Sequence, residues 1–277
     1  MTCGVQNRCV IEPSWWHTLS RPDGTEISYV AVGSGDQTVL LLHGLAGCAE
    51  EWGQTIDGLR GRCRVVAPDQ RGHGRSTRIP SDVSSRSYVE DAAAVIRAVS
   101  DRPVTVIGHS MGGHTALLLA AEHPQLVDRL MLVESGVGGG GDAATAPTAT
   151  RLRRWPTVFV DREEFYEFFG GPPAVARVWA DGLNVRVDGL HPRWDAATLV
   201  SALTHVHLMP RWRAWDSITA PTTLVHADAG TVAATEIAEM VTRRPEVRTE
   251  QIVGAGHDVH LEQPEKWLEV VGRFLQD

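Results

Sequence analysis

Lysine is nearly missing from this 277-residue chain: of its 26 basic residues, only Lys266 is not an arginine. The 34 acidic residues outnumber the basic ones and leave a net charge of −8. No basic stripe is available to follow a phosphate backbone, so nucleic acid is excluded as a partner. Long apolar runs are missing too. Stretches such as Val39–Leu42 and Ala116–Ala121 fall far short of the roughly 20 residues a bilayer crossing needs, so no membrane association is expected. The opening segment, MTCGVQNRCVIEPSWW, carries no apolar core of a secretory leader. Cysteine is scarce: Cys3, Cys9, Cys48 and Cys63 form no C-x-x-C pair and show no metal-type spacing with histidine. Free thiols in a reducing cytoplasm are the expectation, with no metal or other cofactor.

The composition that remains, 43% hydrophobic and 22% charged, is that of an ordinary globular protein, and the length allows one large domain or two small ones. Short aliphatic runs alternate with helical spacing at both ends of the chain. Thr25–Val32, Thr38–Leu42, Arg64–Ala67, Val104–Ile107, Leu130–Val133, Thr222–Val225 and Thr249–Val253 read as strands. Their continuous apolar character suits strands buried on both faces of a parallel sheet. Tyr88–Val99, Met111–His123 and Glu265–Leu275 carry helical periodicity. Strands alternating with helices predict a doubly wound α/β sheet.

The middle breaks this rhythm. Ser135–Thr150 is rich in glycine, alanine and threonine and reads as a flexible connection. Residues 151–216 then combine helical spacing with many aromatics, too few residues for a separate domain and well suited to a lid. Residues 1–135 and 217–277 are therefore expected to form the core, and 136–216 the connection and helical lid.

Chemistry concentrates in Gly108-His109-Ser110-Met111-Gly112, placed between an aliphatic strand and a helix. A tight strand-to-helix turn forces unusual backbone angles on the serine and lifts its hydroxyl to a helix N-terminus. Ser110 is the predicted nucleophile. It needs a base, and among 12 histidines His257 stands out, on a glycine loop just past the final strand. An oxyanion needs two backbone N–H donors, expected from Met111 and from Leu45 within His43-Gly44-Leu45-Ala46-Gly47.

With Asp69-Gln70-Arg71-Gly72-His73-Gly74-Arg75-Ser76 and Gly256-His257-Asp258-Val259-His260-Leu261-Glu262-Gln263-Pro264, these segments make the chain resemble the α/β-hydrolase superfamily over nearly its whole length. The resemblance implies a mostly parallel eight-stranded sheet flanked by helices, with the helical lid between strands six and seven. Members of that superfamily usually carry an acid after strand seven. The corresponding stretch here is His226-Ala227-Asp228-Ala229-Gly230, with glycine at the expected acid position. Two carboxylates remain to orient the imidazole: Glu134 after strand six, an arrangement similar to haloalkane dehalogenases and zearalenone-type lactonases, and Asp228 as the alternative. Asp258, beside the base, is expected to face the loop.

A serine nucleophile speaks for acyl transfer to water and against dehalogenase or epoxide hydrolase chemistry, which uses an aspartate there. Hydrolysis of a carboxylic ester or lactone of a small hydrophobic molecule is the leading expectation. A carbon–carbon hydrolase for vinylogous diketones and a non-enzymatic receptor that keeps the pocket are the alternatives. His43, Gly44, Trp155, Trp179, Trp194 and Trp215 are the predicted substrate contacts. His191, His205 and His207 lack further ligands and are expected on the lid surface or pocket wall. A monomer or homodimer is expected.

Overall fold

The computed structural model describes residues 11–276, and it builds those aliphatic runs into one eight-stranded sheet. The strands are β1 (Trp16–Ser20), β2 (Glu26–Val32), β3 (Gln37–Leu42), β4 (Cys63–Pro68), β5 (Val104–His109), β6 (Val127–Val133), β9 (Thr222–Ala227) and β10 (Arg248–Ile252). A separate hairpin, β7 (Asn184–Arg186) and β8 (Gly189–His191), lies between β6 and β9. The spatial order is β1-β2-β4-β3-β5-β6-β9-β10, antiparallel at the β1–β2 and β2–β4 pairings and parallel elsewhere.

Alternation along each strand divides the apolar residues between two layers. Leu40, Leu42, Val104, Val106, Leu130, Leu132 and Leu224 face one side, with α2 (Ser85–Val99), α3 (Met111–Glu122) and α9 (Ala234–Arg243). Val39, Leu41, Val65, Ile107, Met131, Val133 and Val225 face the other, with α1 (Gly53–Leu59) and α11 (Pro264–Gln276). All six residues of β5 are buried. This is why the central strands read as unbroken aliphatic runs.

Some elements differ from the sequence reading. β1 carries a half-polar edge pattern and gave no aliphatic signal. β2 and β3 follow one another in the chain yet do not pair, because β4 lies between them. At Gly33 the backbone is left-handed and a side chain would run into the Cys63 carbonyl, so glycine is required there.

The expected flexible connection is corrected. Only its glycines act as a turn: Gly138, Gly139, Gly140 and Gly141 all have positive φ. The chain then forms α4 (Gly141–Arg153), whose Thr145, Ala149 and Leu152 are buried. Small side chains bury little area, yet they let α4 lie close against α7 (Ala196–His207). Beyond it come α5 (Arg162–Phe169) and α6 (Pro173–Asp181), packed around Phe159, Phe165, Trp155 and Trp194. Asp161 and Asp195 cap α5 and α7 by accepting the N–H groups of Glu164 and Thr198.

The expected lid runs a few residues too far. α8 (Trp212–Ser217) packs on α3 in the main body, and Trp215 is fully buried there. Its indole Nε1 donates to the Met240 carbonyl at 3.0 Å. Trp215 is therefore no substrate contact: the same stripe of large rings that suggested a pocket serves the core instead. No helix of the described residues is long and apolar enough to cross a membrane. Cys48 and Cys63 are free thiols, while Cys3 and Cys9 lie outside the described residues. Trp215→Phe removes one buried hydrogen bond and part of the packed ring, and should cost about 1–3 kcal/mol in urea unfolding. Turnover should be unchanged; a loss of activity at full stability would return Trp215 to the substrate.

Candidate active site

The parallel strands end on one side of the sheet, and the candidate residues follow them. β5 stops at His109, and Ser110 turns the chain into α3 at φ +52° and ψ −118°. Its N–H donates to the Val133 carbonyl at 2.9 Å. A side chain at Gly108 would strike the Gly112 carbonyl, and one at Gly112 would strike the carbonyls of Leu42 and His43. The glycines of the G-x-S-x-G segment are thus demanded by close backbone approach.

Ser110 is one of three non-glycine residues with positive φ among the described residues; Ala46 at +63° and Glu134 at +46° are the others. All three line the same cavity of 720 Å³, a size within the range of small-molecule sites. Left-handed backbone at non-glycine residues costs about 1–3 kcal/mol each and gathers where surrounding structure enforces it.

His257 lies beyond β10 on the same cavity. Its Nδ1 is 2.9 Å from Thr231 Oγ1 and 3.4 Å from Glu134 Oε2. Glu134 follows β6 and is almost fully buried. Its Oε1 accepts the Ala227 N–H at 2.8 Å and its Oε2 accepts the Thr231 N–H at 2.7 Å. The Thr231 hydroxyl also donates to Oε2 at 3.4 Å, which leaves its lone pair for the His257 Nδ1–H. Thr231 therefore bridges His257 and Glu134, a contact that no motif in the sequence announces.

Of the two carboxylates named from the sequence, only Glu134 reaches His257. Asp228 instead accepts the N–H groups of Gly254 at 2.8 Å and Ala255 at 3.3 Å, and so ties down the loop that carries His257. Gly230 explains the departure from the common pattern. A side chain there would run into the Glu134 carboxylate, so position 230 has no room for an acid while Glu134 is in place.

Met111 opens α3, and its N–H has no acceptor within the helix. Leu45 and Gly44 line the cavity opposite. His43 does not: it is completely buried below the loop. Its Nδ1–H donates to the Gly44 carbonyl at 2.7 Å and its Nε2 accepts the Gln70 N–H at 2.9 Å. The expected substrate contact is a brace for the loop. Glu51 braces it further, since the N–H groups of Gly44 and Cys48 face its carboxyl; burial outweighs them and pushes that carboxyl up to about 8.

Asp69 accepts the N–H groups of Ala49 and Arg75, both at 2.7 Å, while Arg71 forks onto Asp91 at 2.6 and 2.8 Å. The Asp69–Ser76 segment is thereby structural support.

Trp155, Trp179 and Phe169 form an aromatic wall of the cavity. Trp194 does not join them there. It borders a separate void of 20 Å³ between Trp155 and Arg193, too small for a ligand. The cavity also takes in Thr148, Arg151, His114 and His207, of which the sequence reading had noticed only His207. His191 pairs with Asp188 at 2.9 Å. Among the described residues, Glu51, His109 and His260, all buried, bring their ligand atoms within 4.8 Å of one another behind the serine. His109 Nε2–H donates to the His257 carbonyl at 2.9 Å, fixing the base's backbone.

Burial pushes the Glu134 carboxyl up, but the hydrogen bonds from His257, Ala227 and Thr231 outweigh it and hold it below 4.5, its ordinary value. A depressed folded value means that the unfolded chain binds more protons in this range, so stability rises with pH there. Glu134's share should be complete above pH 4.5 and be lost as the pH falls through its lower folded value. Acid unfolding of Glu134→Gln should therefore show a shallower loss of stability below that pH than the parent; parallel curves would contradict it.

The sequence matches the alpha/beta hydrolase family over residues 39–270. A 2-(acetamidomethylene)succinate hydrolase of Mesorhizobium japonicum is 26% identical over 252 residues, spanning 88% of this chain and 89% of that protein. An sn-1-specific diacylglycerol lipase of Mus musculus is 27% identical, over 87% of this chain and 82% of its own. The chain spans only 33% of an uncharacterised protein of Mycobacterium bovis, to which it is 36% identical over 113 residues. Among solved structures, E-2-(acetamidomethylene)succinate hydrolase superposes with a TM-score of 0.84 at 22% identity, covering 94% of this chain and 100% of that one. The enol-lactonase of Burkholderia xenovorans LB400 gives 0.75 at 20% identity, over 92% of this chain and 98% of its own. With its sheet order, its serine turn after β5 and a family match over most of its length, the chain belongs to the alpha/beta hydrolase family.

Proposed function

We propose that the protein is a serine hydrolase that cleaves a carboxylic ester or lactone of a small hydrophobic molecule through an acyl-enzyme on Ser110. The observation that carries this reading is the convergence of Ser110, His257 and the buried Glu134 on one cavity, with the serine at a helix N-terminus. The Ser110 hydroxyl attacks the carbonyl carbon and passes its proton to His257. The N–H groups of Met111 and Leu45 hold the oxyanion. Collapse of the tetrahedral adduct expels the alcohol, which takes the proton from His257. Water then gives a proton to the same imidazole as it attacks the acyl carbon, and the adduct collapses with the proton returned from His257 to Ser110 Oγ, releasing the acid.

Glu134 stabilises the imidazolium formed in each half-reaction, directly and through the Thr231 hydroxyl. Its negative charge is kept in place by the N–H groups of Ala227 and Thr231. The wall of Trp155, Trp179 and Phe169 offers flat apolar surface to the substrate. Relatives named as a lipase and an enol-lactonase support acyl chemistry in kind.

A fluorophosphonate probe should label folded protein at Ser110, and Ser110→Ala should abolish both labelling and turnover of 4-nitrophenyl esters. An unlabelled, folded protein would sink the proposal. Glu134→Gln should lower kcat by about 10⁴, as the corresponding change does in the serine-protease triad. Near-normal kcat in Glu134→Gln, beside an inactive Asp228→Asn, would transfer the acid role to Asp228.

A further inference from the structure

α4 presents one stripe to the cavity: Ala144, Thr148, Arg151 and Leu152, at the spacing of a single helical face. Among the described residues, Arg151 is the only arginine or lysine lining the cavity. Arg151 is exposed to solvent as well as lining the cavity. The guanidinium carbon lies 5.8 Å from the ring centre of Trp155 and 5.7 Å from that of Phe169, both part of the aromatic wall. Its one hydrogen bond is a long contact of 3.4 Å from Nη2 to the Phe169 carbonyl. Among the described residues it forms no ion pair, whereas Arg71, Arg162 and Arg193 are each held by a carboxylate.

Aromatic faces attract the guanidinium from its flat sides and leave its N–H edges pointing outward. Such an edge matches a carboxylate through two parallel hydrogen bonds. Four acidic side chains line the cavity, Glu51, Glu134, Glu236 and Asp258, and among the described residues none forms an ion pair with Arg151. Glu134 is bound to the strand ends and His257, and Glu236 accepts the Val137 N–H at 2.8 Å. Glu51 lies under the loop facing the N–H groups of Gly44 and Cys48.

The geometry points to a substrate that carries a free carboxylate besides the carbonyl attacked by Ser110, with Arg151 as the group that binds it. This rests on the acyl-hydrolase reading and narrows it to half-esters or lactones of carboxylic acids. From a half-ester, water added across the ester bond gives a dicarboxylate and an alcohol; from a lactone that carries a carboxylate it gives a single hydroxy-dicarboxylate. Binding at Arg151 fixes one end of the acyl chain, so the reacting carbonyl is presented at a set distance along the aromatic wall.

The test compares mono(4-nitrophenyl) esters of succinate, glutarate and adipate with neutral 4-nitrophenyl esters of equal chain length. At least one half-ester should exceed its neutral partner by about tenfold or more in kcat/KM, the scale of a charge-assisted hydrogen bond, mainly through KM. In Arg151→Gln that ratio should fall to about one, and Arg151→Lys should keep part of it, since a point charge remains without the planar fork. Arg153→Gln, an exposed neighbour outside the cavity, should keep the wild-type ratio. In parallel, titration calorimetry on Ser110→Ala should show at least one of the three dicarboxylates binding more tightly than its monocarboxylate partner, and Ser110→Ala/Arg151→Gln should lose that preference.

If neutral esters are cleaved but no half-ester is preferred, the carboxylate site fails and the hydrolase reading stands. If no ester is cleaved while the dicarboxylate preference at Arg151 holds, the acyl-hydrolase reading fails and the binding site stands. An equal fall in Arg151→Gln and Arg153→Gln would make the effect one of net charge and overturn the proposal.

Discussion

A carboxylate taken out of water at the end of β6 has to be met by donors, and much of the site follows from how Glu134 is met. An unpaired buried charge costs several kcal/mol, so its two oxygens must be satisfied on the spot. The donors come from the next strand over, at Ala227 and Thr231. To deliver both N–H groups, the loop after β9 must close tightly on Glu134, and glycine at 230 makes room for that. The same closure brings the Thr231 hydroxyl to His257. The oriented imidazole, the buried carboxylate and the bridging hydroxyl are thus one packing solution.

The strained residues make sense within that frame. Ala46, Ser110 and Glu134 hold left-handed backbone at the ends of three adjacent parallel strands or in the loops leaving them. Strain persists only where neighbours over-determine the conformation. Here the neighbours are the parallel strands from β3 through β9, whose residues are almost wholly excluded from water on both faces. The rigid sheet is therefore what allows an exposed serine hydroxyl and a buried glutamate to be aimed at a single point.

The sequence was most readable where one local requirement dictated the residue. Ser110 and its flanking glycines announce a turn that few other sequences can make, and the aliphatic runs of β3 to β6 announce burial on both faces. Edge strand β1 was unreadable because its pairing leaves one side in water and its residues mixed. α4 was misread because small side chains look like a linker until the partner they approach is known. Trp155 and Trp215 were indistinguishable as residues: each belongs to an aromatic-rich stretch, and only the packing around it decides whether the ring meets the cavity or the core. Thr231 carried no signal because its role joins it to Glu134, 97 residues earlier in the chain.

Gly230 has a consequence for how such a site can change over time. The space beside Glu134 holds either that carboxylate or a side chain from position 230. A chain that acquires an acid at 230 while keeping Glu134 crowds two negative groups into one volume, and one that loses Glu134 first leaves the imidazole without a counter-charge. Neither single step is neutral, so the two placements of the acid are separated by a barrier in sequence space.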